Sequence, residues 1–74
     1  MPRHGELVQI VSPKGKRHLV RVGATSALHT NDGVLDMALV EAAEYGDEVR
    51  THMGRPYRLL KPTIYDLLKG LRRQ

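Results

Sequence analysis

The sequence predicts an α+β, mainly β fold: a small curled antiparallel sheet or barrel-like domain of five to six short strands, with two short helices at about residues 36–45 and 63–72. Short β-rich runs recur between turn signals along most of the chain. A helical period of apolar residues occurs only twice. The length of 74 residues and 41% hydrophobic content, with no Phe or Trp, support one small core and a single domain over residues 1–74. Curling is expected because a flat small sheet leaves its edges and one face bare.

Leu7–Val11 and His18–Val22 are the first two strands. Between them, Pro13 presets a turn corner and Gly15 supplies the positive φ that closes a hairpin with a bulge. Ala27–Thr30 runs into the turn signal Asn31-Asp32-Gly33 and out through Val34-Leu35. Asp36 then caps a helix over Met37–Glu44 that stops at Gly46 and buries a stripe of Leu39, Val40 and Ala43. Val49–His52 and Tyr57–Leu60 form a second hairpin, with Arg50 and His52 on one face and Val49 and Thr51 on the other. After Pro62, Thr63 caps the last helix and Asp66 completes a T-x-x-D box. Ile64, Leu67, Leu68 and Leu71 give the buried period, with Tyr65, Lys69, Arg72 and Arg73 as a basic flank. Gly70 predicts a frayed last turn.

Catalytic chemistry is not visible. There is no cysteine, and Ser12 and Ser26 stand in turn and loop contexts. The histidines His4, His18, His29 and His52 lack metal-ligand spacing, so no metal is expected. His29 and Asp32 are close enough in sequence for a turn-stabilising hydrogen bond. No glycine-rich phosphate loop is present, so no cofactor is expected in this chain and it is expected not to be an enzyme by itself. The longest apolar run, Met37–Val40, is too short to cross a membrane, and the opening residues do not resemble a signal peptide. A cytoplasmic module is the expectation, consistent with the lack of cysteine.

Charge is segregated. Residues 1–30 carry +4, residues 31–48 carry −6, and residues 49–74 carry +6. Eight of the twelve bases are Arg, whose planar fork suits phosphate. Candidate RNA contacts are Lys14, Lys16, Arg17 and Arg21 in the first hairpin, and Arg50, Arg55 and Arg58 in the second. Such cations hold phosphates without reading bases. Only Tyr45, Tyr57 and Tyr65 are aromatic, and Tyr57 is expected in the core, so structured RNA fits better than a stacked single strand.

Gly5-Glu6-Leu7-Val8, Pro13-Lys14-Gly15-Lys16-Arg17, Leu19-Val20-Arg21-Val22 and His29-Thr30-x-x-Gly33-Val34-Leu35 come in a familiar order. Gly46, Val49-Arg50-Thr51, Gly54-Arg55-Pro56-Tyr57, Leu60-Lys61-Pro62-Thr63 and Asp66-Leu67-Leu68 follow. Over residues 5–74 the chain resembles the N-terminal domain of the TrmI family, S-adenosylmethionine-dependent tRNA (adenine-N1)-methyltransferases that modify the T-loop adenine. The resemblance implies a non-catalytic, tRNA-binding accessory domain. The methyl donor and the catalytic residues belong to the family's Rossmann-like domain, which this sequence does not contain. Expected partners are tRNA and a methyltransferase domain or other subunits, including copies of itself. The alternative function is a protein-interaction or oligomerisation module.

Overall fold

A computed structural model describes the backbone of residues 1–72 and the side chains of residues 1–70. Eight elements follow in order: β1 (Leu7–Val11), β2 (Arg17–Arg21), β3 (Ala27–Thr30), β4 (Gly33–Asp36), α1 (Met37–Ala42), β5 (Glu48–Arg50), β6 (Pro56–Leu60) and α2 (Ile64–Arg72). The mainly β, two-helix prediction holds with six strands. They form a four-stranded antiparallel sheet in the order β2-β1-β6-β5 and a separate β3-β4 ribbon. The sheet does not close into a barrel. β2 and β5 remain its two edges, and the ribbon caps one face instead of joining the ladder.

The core lies between that face and the ribbon. Val8 and Ile10 of β1, Val49 of β5, and Tyr57 and Leu59 of β6 point inward and meet Leu35, Met37 and Val40. Alternation along β5 and beyond buries Val49 and Thr51 and exposes Arg50 and His52, as expected. Ribbon and sheet are joined by the His52 amide, which donates to the Val34 carbonyl (2.9 Å). Thr51 reinforces this junction: its hydroxyl donates to the Asp32 carbonyl (2.8 Å) and accepts from the Met53 and Arg55 amides (3.3 and 3.2 Å).

The β1–β2 turn is built as its residues predict, with Gly15 at φ +89° and the Ser12 amide donating to the Lys16 carbonyl (2.8 Å). In the β3–β4 turn Gly33 takes φ +109° while Asn31 and Asp32 keep negative φ. The Thr30 hydroxyl spans this turn, accepting from the Asp32 amide (3.0 Å) and donating to the Gly33 carbonyl (2.8 Å). Asp32 does not bond His29. Its carboxylate accepts instead from the buried Tyr57 hydroxyl at 2.9 Å.

Both helices differ from their predicted limits or faces. Asp36 caps α1 through the Ala38 amide (3.0 Å), but α1 ends at Ala42, and Leu39 is exposed while Met37 and Val40 are buried. An extended Ala43 (ψ 158°) breaks the helix before Gly46, which serves in the following turn. In α2 the capping box forms: the Thr63 amide donates to Asp66 Oδ2 (2.8 Å) and the Asp66 amide to Thr63 Oγ1 (3.2 Å). Two residues of the predicted buried stripe, however, face away from the sheet. Ile64 is 67% exposed and Leu68 46%. The helix lies on the sheet through Asp66, Leu67 and Gly70, a stripe one position round from the predicted one. A Cβ at Gly70 would stand 2.5 Å from Leu19 Cδ2, so this glycine permits close approach to β2. The Leu71 and Arg72 side chains and Arg73 lie outside the described residues.

Candidate nucleic-acid interface

Strand register decides where the predicted cations stand. On β1, Val8 and Ile10 face the core, so Leu7, Gln9 and Val11 face outward. Their partners share that outer face. Arg17 lies opposite Val11, Arg21 opposite Leu7, and Arg58 opposite both Val11 and Glu48. Arg50 pairs with Pro56 on the same side. Arg17, Arg21, Arg50 and Arg58 therefore occupy one face of one sheet, although β2 and β5 are its opposite edges.

Each of these four arginines is also anchored. Arg21 donates to the Gly5 carbonyl (2.6 Å), Arg50 to the Gly54 carbonyl (2.8 Å) and Arg58 to the Gly46 carbonyl (2.5 Å). Glu48 stands between Arg50 (3.4 Å) and Arg58 (3.7 Å), and Asp66 pairs with Arg17 at 3.3 Å. The arginines of these pairs remain 53–62% exposed. Solvated pairs of this kind are worth little, so the guanidiniums stay open to competing phosphate oxygens. Carbonyl anchoring also orders the forks of Arg21, Arg50 and Arg58, each of which carries five donors.

The remaining three cations are arranged differently. Because β1, β2, β5 and β6 alternate in direction, the β1–β2 turn with Lys14 and Lys16 and the β5–β6 turn with Arg55 lie at the same end of the sheet. The β3–β4 turn joins them there through Thr51. Among the described residues, no side-chain hydrogen bond or ion pair engages Lys14, Lys16 or Arg55. A cluster of three turns thus carries three free cations beside a face of four tethered arginines.

Beneath α2, the Gln9 amide, oriented by its neighbours, donates to Asp66 Oδ2 and accepts from Arg17 Nη1, both at 3.2 Å. The Thr63 amide and hydroxyl, aided by Gln9 and Arg17, hold the Asp66 carboxyl below its ordinary range. Just before β1, the Arg3 amide and then the Tyr45 hydroxyl lower Glu6. Burial and that carboxylate push Tyr45 up to about 12. The Lys61 ammonium lies 5.2 Å from the Tyr45 ring centroid. Of the three tyrosines, Tyr57 is buried in the core, Tyr45 is partly buried and Tyr65 is 75% exposed.

A cleft opens between the β1–β2 and β3–β4 turns that the sequence does not announce. His18, opposite Ile10 on β1, turns its ring toward Tyr57, with centroids 6.0 Å apart. Burial, then the Lys16 charge, lowers the His18 pKa and favours the neutral imidazole. The only advance signal for this site was the register of the first hairpin, which places His18 on the inner face.

The N-terminal part of the chain, residues 2–46, matches the model of the TrmI-like N-terminal family. The chain belongs to that family. Over 64 residues, 86% of its length, it is 33% identical to the tRNA (adenine(57)-N(1)/adenine(58)-N(1))-methyltransferase TrmI of Methanocaldococcus jannaschii. The TrmI-like fold is shared with a SAM-dependent O-methyltransferase from Thermotoga maritima, at a TM-score of 0.89 and 25% identity over 99% of this chain. The chain spans 21% of the first protein's length and 28% of the second's.

Dinucleotide and related cofactors bind a glycine-rich loop where a parallel strand enters a helix. Every strand pair among the described residues is antiparallel, and the strand-to-helix junction at β4–α1 places the Asp36 carboxylate at the helix start. No helix among the described residues is long and apolar enough to cross a membrane.

Proposed function

We propose that residues 1–74 act as a single tRNA-binding accessory domain of an S-adenosylmethionine-dependent tRNA (adenine-N1)-methyltransferase. Lys14, Lys16, Arg17, Arg21, Arg50, Arg55 and Arg58 contact phosphate, and the methyl donor and bond-making residues lie in a separate catalytic domain. The observation that carries this reading is the common outer face of Arg17, Arg21, Arg50 and Arg58, bordered by Lys14, Lys16 and Arg55, whose side chains are unpaired among the described residues. Membership of a family with a tRNA methyltransferase among its relatives supports the identity of the polyanion. Backbone-held cations of this kind suit a folded RNA recognised by shape.

The test is tRNA affinity of the chain across a salt series. Each neutralised phosphate contributes a log–log slope of about 0.7–0.9. Replacing Lys14, Lys16 and Arg55 together by Ala is expected to flatten that slope by about 2–3 and to weaken binding to unrelated tRNAs equally. An affinity that does not respond to salt overturns the reading.

A second reading is favoured by α2. Ile64, Tyr65 and Leu68 form an exposed apolar face, and an apolar groove of about 720 Å³ runs between α2 and β2, lined by Leu7, Leu19, Leu28 and Leu67. Such surfaces mark protein contacts. The domain would then dock a methyltransferase domain or another copy of itself, and the basic residues would matter little. Sedimentation at several concentrations separates the two: self-association abolished by Leu68→Glu, with salt-insensitive RNA affinity, selects this reading.

A further inference from the structure

The three-turn end of the sheet contains a cleft of about 420 Å³, within the size range of small-ligand pockets. It is lined by Lys14 and Lys16 of the β1–β2 turn, by His29 and Asn31 of the β3–β4 hairpin, and by His18, whose ring centroid lies 6.0 Å from that of Tyr57. Among the described residues, no side-chain hydrogen bond or ion pair engages Lys14, Lys16, His18, His29 or Asn31. Five polar side chains facing one space without internal partners contrast with the outer arginine face, where every guanidinium is anchored.

Charge and donor chemistry narrow the occupant. Two ammonium groups attract an anion. Yet Asp32 lines the same cleft, with Oδ2 accepting from Tyr57 and Oδ1 without a partner among the described residues. A carboxylate disfavours a bare inorganic anion and suits a ligand that carries N–H or O–H donors as well as a phosphate. The imidazole faces of His29 and the half-buried His18 offer surfaces on which an unstacked base can lie. The Asn31 amide has both a donor and an acceptor for a base edge.

We propose that this cleft is a single-nucleotide pocket, which takes one unpaired ribonucleotide with its phosphate on Lys14 and Lys16 and its base against His29 and His18. The proposal rests on the RNA-binding reading and adds to it a place where the RNA is held by more than its backbone. Asn31 and Asp32 meet the base edge or the 2′-hydroxyl.

The test is a titration of the 74-residue chain with adenosine 5′-monophosphate at millimolar concentration, followed by amide and imidazole resonances, with inorganic phosphate and adenosine as separate arms. The nucleotide is expected to shift the signals of His18, His29 and Asn31 together with the Lys14–Lys16 turn, and to bind more tightly than either fragment. Both His29→Ala and Asn31→Ala are expected to weaken it, His29→Ala by about tenfold, the loss of one stacking contact. Both positions are exposed, so the fold is retained. Equal responses to inorganic phosphate and to the nucleotide overturn the pocket, as do shifts confined to the outer arginine face. Salt-dependent tRNA binding measured on the same variants keeps the two readings apart. If tRNA binds with a steep salt slope while the nucleotide leaves the cleft signals unmoved, the pocket alone falls; if neither binds, the RNA-binding reading falls with it.

Discussion

Thr51 carries more of this structure than its size suggests. Its buried hydroxyl serves one carbonyl and two amides, tying the β5–β6 turn to the β3–β4 turn. Thr51→Val keeps the shape and removes all three bonds, leaving buried polar groups unpaired, and is expected to cost about 1–3 kcal/mol in denaturant unfolding. Gly33 sits against the same hub. With φ +109° and a Cβ position 3.0 Å from Met53 Cγ, Gly33→Ala is expected to lower stability by more than about 1 kcal/mol. His18 supplies a pH dependence. Its folded pKa lies below the ordinary 6.5, so the unfolded chain takes up the proton first and stability falls as pH drops below that value. Glu6 and Asp66 are also lowered, so their contribution holds above 4.5 and 3.8 and is lost only in more acidic solution. Melting temperature followed from neutral pH downward should show two separate declines. His18→Gln should remove the first and leave the second.

Among the elements, α2 is the one whose local signals and final placement diverge. Its capping box forms as its residues dictate, because Thr63 and Asp66 need only each other. Thr63→Ala is expected to cost about 1 kcal/mol, seen as faster amide exchange confined to α2 with the sheet amides unchanged. Which side of α2 meets the sheet was decided by Gln9, Arg17 and Leu19, which hold Asp66 and admit Gly70. The apolar period of Ile64, Leu67 and Leu68 is therefore only partly used within this domain. Ile64, Tyr65 and Leu68 instead form an apolar face exposed to solvent.

At the scale of the whole domain, a sheet with two open edges and one ribbon-capped face separates two tasks. The capped face makes the core, and the outer face gathers arginines from β2, β5 and β6 that are far apart in sequence. Carboxylates neutralise only a part of this surface: Glu48 of the acidic block and Asp66 of α2 reach three of the arginines, and Lys14, Lys16 and Arg55 stay unpaired among the described residues. Charge reversal at Glu48 offers a check on the interface as a whole. Glu48→Lys adds a cation beside Arg50 and Arg58 without entering the core, and is expected to strengthen tRNA binding at low salt and steepen its salt dependence.

Turns, strand alternation and helix caps were legible along the chain, because each depends on residues within a few positions of one another, and the resemblance to the TrmI family was legible in the order of motifs over residues 5–74. Pro13-Lys14-Gly15, Asn31-Asp32-Gly33 and Thr63-x-x-Asp66 needed no tertiary partner to be understood. Three features did need one: the open sheet in place of a barrel, the rotated face of α2, and the cleft joining Lys14 and Lys16 to His29 and Asn31. Each arises from pairings across long stretches of chain, Thr51 with Asp32, Arg17 with Asp66, and His18 with Tyr57. Such pairings follow from the three-dimensional packing of whole elements, and no local periodicity encodes them.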